Sequence, residues 1–307
     1  MSPSQAIHDP IFRSYALIVA GILAVAGALL ALMQFGLRND VQSIWRTYLG
    51  WLIMVPLIAL AILLGRGGVI VGTTLLAIFG FKEFARATGL YRDWWMTGAV
   101  YLLMLATAAL LWLARTTLIF RFPVLAISVL VLVPVLRNRM QGQLQSITLA
   151  IFGFLYIGWM FAHVALLSLT ANPYGYLCFL ILATELNDVA AFTSGKLFGH
   201  LPLRSNISPR KTWGGAIGAT TVSIALPFLL RFSFPGFSAR RLLAIGILIG
   251  IGGQLGDLVI SVMKRDIGIK DMGGTIPGHG GILDRIDSLI FVAPWFFYLV
   301  QYPHGFT

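Results

Sequence analysis

Runs of about 20 mostly apolar residues recur from one end of the chain to the other, and this recurrence limits the fold more than any single motif does. A helix needs roughly that length to cross the hydrocarbon core of a bilayer. Inside lipid every backbone N–H and C=O must find a partner within the protein, so the crossing segments are helices. Windows near 14–35, 48–65, 67–82, 94–114, 117–136, 146–169, 173–198, 213–231, 241–264 and 286–302 predict an all-α, polytopic transmembrane bundle of about ten helices. Of the 307 residues, 58% are hydrophobic and only 11% charged, against about 25% charged in an ordinary soluble domain. So little charge cannot coat a soluble globule, and no sizeable water-soluble domain is expected. The first run, Tyr15 to Phe35, exceeds the 7–15 residues usual for the core of a signal peptide and is followed by further spans, so it reads as a retained helix. Trp94, Trp95, Trp295, Tyr298 and Tyr302 fall near span ends, where amphipathic rings favour the headgroup region.

The net charge of +11 does not indicate nucleic acid, because no basic face with interleaved aromatics accompanies it. It fits the positive-inside bias of membrane proteins. Fifteen Lys and Arg fall in the breaks after odd-numbered spans, against seven elsewhere. This places the odd breaks in the cytoplasm, both termini opposite, and the polar loops 199–212 and 265–285 together on the cytoplasmic side. The single cysteine, Cys178, has no disulfide partner. Composition shifts near residue 180, where ionisable residues begin to enter the spans. The shift suggests a scaffold over 1–172 and a chemical region over 173–307 within one integrated bundle.

An ionisable group within a membrane helix costs about 2.5–3.5 kcal/mol on insertion scales and usually faces a wet cavity or the bundle interior. Glu185 and Asp188, three apart, share one face of the seventh helix. Asp257, Ser261, Lys264 and Arg265 form a polar stripe at the end of the ninth. A structural reading is available for each: a hydrogen-bonded carboxylate, or an Asp257–Lys264 ion pair within one helix. Neither accounts for residues 266–288, which combine six glycines with Lys270, Asp271, His279, Asp284, Arg285 and Asp287. Glycines 273, 274, 278, 280 and 281 permit the close backbone approach by which amides surround phosphate oxygens. Asp257, Asp284 and Asp287 suit Mg²⁺, which takes one or two carboxylates and completes its shell with water and phosphates. Cations for phosphate and acids for a metal describe a nucleotide polyphosphate site, although no P-loop string is present. A second polar element, Ser205 to Thr212, precedes an apolar helix. Ser208 is expected to cap that helix with Pro209 in its first turn, beside Arg210 and Lys211 as an anion site.

These strings resemble the phosphatidate cytidylyltransferase (CDP-diacylglycerol synthase) family, whose signature runs S-x-x-K-R-x-x-x-x-K-D-x-x-x-x-x-P-G-H-G-G-x-x-D-R-x-D. Ser261, Lys264, Arg265, Lys270, Asp271, Pro277, Gly278, His279, Gly280, Gly281, Asp284, Arg285 and Asp287 stand at the matching positions. Residues 188–199 and 208–212 look like two further family motifs, so the resemblance covers about 180–290, while the N-terminal half matches only in hydropathy. The resemblance implies transfer of a cytidylyl group from CTP to phosphatidate or a related lipid phosphate. It also implies an integral protein of a bacterial cytoplasmic membrane with its site facing the cytoplasm, and Mg²⁺ as cofactor with a second cation left open. On that reading Asp188, Asp257 and Asp284 hold the metal. Lys264, Arg265, Lys270, Asp271, His279 and Asp287 form the catalytic set, with His279 and Asp287 orienting the loop. Ser208, Lys211, Thr212, Ser261, Gly278, Gly280, Gly281 and Arg285 bind substrate. One departure stands out: where the family commonly carries a glutamate before glycine, this chain reads Trp213-Gly214-Gly215, the mark of a divergent branch.

Two rival readings remain at this stage. Intramembrane carboxylates also mark ion pathways in transporters and channels, although here the polar residues gather at helix ends rather than at the midplane. The second rival is a relative that, lacking the usual glutamate, binds lipid or nucleotide without turnover. Two G-x-x-x-G spacings among glycines 246, 250, 252, 253 and 256 allow close helix contact, either within the bundle or across a homodimer.

Overall fold

Every one of the ten apolar windows is a helix. The computed structural model describes residues 1, 3–36, 42–274 and 280–301, so Pro277, Gly278, His279 and Tyr302 lie outside the described residues. After a short helical turn at Pro3–His8, the helices are α1 (Pro10–Phe35), α2 (Ile44–Leu63), α3 (Gly65–Ala87), α4 (Trp94–Trp112), α5 (Thr116–Leu136), α6 (Gln143–Leu169), α7 (Pro173–Phe198), α8 (Trp213–Leu229), α9 (Ala239–Asp266) and α10 (Leu283–Gln301). Eight of them are long and apolar enough to cross a membrane. The other two are α8, apolar but only 17 residues long, and α10, which opens on Asp284, Arg285 and Asp287.

Local chemistry sets the boundaries. Asp9 caps α1 by accepting from the N–H groups of Ile11 and Phe12, with Pro10 at the first helical position. Asn172 and Pro173 open α7 in the same way, and Ser238 caps α9. Gly65, at φ +74°, supplies the turn between α2 and α3, and Ala114 and Arg115 separate α4 from α5.

The expected cap at Ser208 is not what forms. Ser208–Thr212 is a strand, β2, paired antiparallel with β1 (Pro202–Arg204). The helix begins one turn later, at Trp213, and the extended Thr212 caps it by accepting from the Gly215 N–H at 3.2 Å. Proline suits this position because a two-stranded ribbon is all edge and needs no N–H there.

The outermost helices are α1 and α2, in which only 6% of the apolar window is buried, against 67% in α6. The first pair therefore presents its surface to lipid while α6 forms the interior. Within α6 the stretch Gly153–Met160 is π-helical, and a Cβ on Gly153 would lie 2.5 Å from the Phe81 ring. Glycine at this point lets α3 and α6 touch. Buried side chains form one continuous cluster that includes Phe81, Phe84, Phe154, Phe179, Phe234 and Phe296.

Apolar side chains gain little from leaving lipid for a helix interface, so backbone proximity at small residues holds such helices together. In α9 this takes a specific form. A Cβ on Gly246 would lie 2.5 Å from the Ile224 Cα of α8, and one on Gly250 would lie 2.7 Å from the Thr220 Cα. On the opposite side Gly252 meets Val292, and a Cβ on Gly256 would lie 2.6 Å from the Asp287 carbonyl oxygen of α10. Both G-x-x-x-G spacings are thus filled by neighbours in the same chain. Replacing Gly246 with leucine should force α8 and α9 apart and destabilise the fold by about 1–3 kcal/mol, read as a lower thermal midpoint in detergent. Gly21→Leu, where nothing lies within 4 Å, should leave that midpoint unchanged.

Candidate active site

Antiparallel neighbours bring the C-terminal ends of α7 and α9 to the same face as the N-terminal ends of α8 and α10. The β hairpin joins α7 to α8 and the glycine-rich segment joins α9 to α10, so the described parts of both polar loops lie on one face of the bundle. Helix N-termini contribute partial positive charge there and favour anions.

Two lysine–aspartate pairs organise this face. Lys211, at the end of β2, pairs with Asp257 on α9. Lys264, in the last turn of α9, donates to Asp284 Oδ1 of α10 at 2.7 Å, and both side chains are largely buried. The other oxygen of Asp284 accepts from the backbone N–H groups of Met272 and Gly281, at 3.0 and 3.1 Å, tying both sides of the glycine-rich segment to α10. The in-helix pairing of Asp257 with Lys264 does not form, because each finds its partner on another element. Ser261 donates to Asp257 Oδ1 at 3.1 Å. It therefore steadies that carboxylate through a contact one turn along the same helix rather than standing ready for substrate.

Asp188 differs from these. It is exposed. It has no hydrogen bond or ion pair among the described residues, yet it interacts electrostatically with Asp257, Lys211 and Arg285. Asp287 is buried behind it, within electrostatic reach of both Asp188 and Asp257, with Oδ1 accepting from the Ser288 N–H. A buried polar joint backs these carboxylates. Ser223 Oγ of α8 donates to Asn187 Oδ1 of α7 at 3.0 Å, and Ser288 Oγ of α10 donates to the Gly253 carbonyl of α9 at 2.9 Å. A Cβ on Gly253 would lie 2.8 Å from Asn187 Nδ2, so the absence of a side chain there allows the two halves of the joint to meet.

The expected metal triad does not assemble as a set. Among the described residues no three His, Cys, Asp or Glu side chains form a metal-binding group. The physical reason is that Asp284 is drawn away by Lys264 and two amides. Asp188 and Asp257, which interact electrostatically, carry the oxygen donors that Mg²⁺ takes, one or two carboxylates with water and phosphates completing the shell, although Asp257 is engaged by Lys211 and Ser261. The unpartnered Asp188 carboxylate makes the pair fit that role.

The remaining expected residues divide. Arg265 is exposed and donates to the Ile207 carbonyl of the hairpin and the Ile269 carbonyl beyond its helix, so it braces loops instead of joining the carboxylates. Lys270 and Asp271 are exposed beside the segment. Arg285 is exposed and within electrostatic reach of Glu185 and Asp188. Gly280 adopts φ +82°, which favours glycine, and Gly281 contributes its N–H to Asp284. Gly278 and His279 lie outside the described residues.

Sequence reasoning missed Glu83. This α3 residue is 7% exposed and accepts from the N–H groups of Ile282 and Leu283, at 3.0 and 2.9 Å. It thereby satisfies the start of α10 from about 200 residues away. A Cβ on either Gly273 or Gly281 would lie 2.5 Å from a Glu83 oxygen, so those glycines are the space the carboxylate occupies. The only available signal was an acidic residue at the end of an otherwise apolar span. The departure at Gly214 also has a structural counterpart. A Cβ there would lie 2.6 Å from the Phe198 carbonyl oxygen, because the end of α7 packs where the family's side chain would begin.

Helical spans with lysine–aspartate pairs gathered at one face define a polytopic membrane protein. Residues 45–303 match the cytidylyltransferase family, and the chain belongs to that family. It is 42% identical over 167 residues to the uncharacterised protein YnbB of Escherichia coli, covering 52% of this chain and 56% of that one. Against a phosphatidate cytidylyltransferase of Staphylococcus haemolyticus it is 38% identical over 160 residues, covering 52% and 60%. Against the chloroplastic phosphatidate cytidylyltransferase 5 of Arabidopsis thaliana the identity is 50% over 107 residues, covering 34% and 26%. The matched stretch spans little more than half the length of the first two relatives.

Glu83→Ala should leave two buried N–H groups unpaired at about 1–3 kcal/mol each. Amide exchange at Ile282 and Leu283 should then quicken roughly 10- to 100-fold, a tenfold change corresponding to about 1.4 kcal/mol, with Glu83→Gln intermediate. Gly214→Glu, which restores the family's usual residue, should lower the detergent melting midpoint by the equivalent of about 1–3 kcal/mol because the α7 terminus blocks it.

Proposed function

We propose that this chain condenses CTP with phosphatidate, or a closely related lipid phosphate, to give CDP-diacylglycerol and pyrophosphate. The phosphate oxygen of the lipid attacks the α-phosphorus of CTP, a new P–O bond forms, and the bond to the β-phosphate breaks as pyrophosphate leaves. The observation that carries the reading is the pair of lysines, Lys211 and Lys264, held by carboxylates on the face that bears the family's motifs. Both can be redirected to phosphate oxygens when nucleotide arrives. Names borne by the relatives support the substrate assignment.

The lipid nucleophile is already anionic, so little proton abstraction is required. Catalysis then rests on alignment and on neutralising developing charge. Lys264 and Lys211 supply positive charge. Asp284 holds Lys264 and the glycine-rich segment in register. Asp188 and Asp257 are the residues that would hold Mg²⁺, whose contribution when bound is to neutralise the triphosphate. Placement in a bacterial cytoplasmic membrane with this face toward the cytoplasm belongs to the same proposal, supported by the distribution of Lys and Arg.

Purified protein given labelled CTP, Mg²⁺ and phosphatidate should release pyrophosphate and form a CDP-lipid. Absence of product with any lipid phosphate at any Mg²⁺ concentration would defeat the proposal. Asp284→Asn should reduce turnover about 100-fold or more, the scale of losing a preorganised electrostatic contact, while the variant remains folded in detergent. Removing Mg²⁺ with a chelator should abolish turnover, and adding it back should restore the rate.

A further inference from the structure

A second polar feature lies on the same face of the bundle as the candidate active site but away from α7–α10. The N-terminal turn of α4 and the C-terminal turn of α5 enclose a groove of about 700 Å³, within the size range of ligand pockets. Its floor is small, at Gly98 and Ala99, and a Cβ on Gly98 would meet nothing within 4 Å. Its walls are apolar and exposed, with Leu102 69% and Leu136 84% accessible. Its mouth carries Trp94, Arg137 and Arg139.

The mouth is cationic in a particular way. Asp93, which caps α4 through the Met96 N–H, also pairs with Arg137 at 2.6 Å, and Arg137 lies 5.8 Å from the centre of the Trp95 ring. That arginine is neutralised and fixed. Arg139 is exposed and has no ion pair or side-chain hydrogen bond among the described residues, so the mouth retains one positive charge. The face follows from connectivity: Glu83 joins the C-terminal end of α3 to the start of α10, and the Asp93–Arg137 pair brings the end of α5 to the turn after α3.

We propose that this groove is a binding site for an anionic phospholipid of the leaflet adjoining the candidate active site. The headgroup phosphate sits on Arg139, an acyl chain lies over Gly98 along Leu102 and Leu136, and the paired Trp94 and Trp95 rings, 4.5 Å apart, mark the headgroup level. Basic pockets between membrane helices on the cytoplasmic side are recurrent seats for acidic headgroups, and indole rings favour that depth. The proposal is independent of the catalytic reading, since none of its residues belongs to the candidate active site.

The test is native mass spectrometry of the full chain in detergent, titrated with phosphatidylglycerol and with phosphatidylcholine of the same acyl chains. Neither lipid carries the phosphate monoester that the proposed reaction consumes. The intact protein should retain phosphatidylglycerol several-fold more tightly than phosphatidylcholine. Arg139→Glu should remove that preference, and Gly98→Leu, which fills open space, should weaken retention of both lipids. Equal retention of the two lipids by the unmodified chain, an undiminished preference in Arg139→Glu, or unchanged retention in Gly98→Leu would each overturn the proposal. A dimer mass that competes with lipid and disappears in Arg139→Glu would also overturn it, by making a second copy the occupant.

Discussion

Carboxylates at the edge of a hydrocarbon layer are costly to leave unpaired, and Asp257, Asp284 and Glu83 are each held by a partner on another element. Removing one partner from a buried ion pair typically costs 3–5 kcal/mol because the other charge is left stranded. The largely buried pair Lys264–Asp284 therefore acts as a structural tie, and the more exposed pair Lys211–Asp257 as a weaker one. One ties the hairpin to α9, and the other ties α9 to α10. A polyanion entering this face would find both lysines already positioned and Lys264 largely desolvated. Exchanging a carboxylate for a phosphate partner would cost less than recruiting a lysine from water.

Those ties work because glycine brings the helices close enough. Gly246 and Gly250 admit α8, Gly252 and Gly256 admit α10, and Gly253 admits the Asn187 amide of α7. A bulkier residue at any of these positions would push apart the helices that carry these carboxylates. The N-terminal half of the chain contributes more than lipid-facing surface. Through Glu83 it accepts the first N–H groups of α10 and fills the space beside Gly273 and Gly281, so the glycine-rich segment is supported from the opposite half of the chain.

Much of this was legible in the order of residues. Spans announce themselves by length and apolarity, and even the glycine-bearing third window and the break at Arg115 matched real elements. The two polar loops were expected on one face, and they are. Less legible were features decided by which partner wins. Lys264 had an acid seven residues back on its own helix and another twenty residues ahead, and it took the one ahead. Ser208 carried a good capping side chain, yet pairing with β1 kept that stretch extended and passed the cap to Thr212. Glu83 gave almost no signal because its partners are backbone amides about 200 positions away. Gly214 announced a missing side chain, but only packing against Phe198 shows that the space itself is gone.

The central claim is that acids and lysines from α7, α9, α10 and the hairpin form one receptor for a metal-bound triphosphate. The most direct measurement is a structure of the protein with CTP and Mn²⁺, with the ion located by its anomalous signal. The account predicts an ion peak in contact with Asp188 and Asp257, and Lys211 and Lys264 turned from their aspartates to phosphate oxygens. Nucleotide bound elsewhere, or an ion remote from Asp188 and Asp257 with both lysine pairs intact, would contradict it.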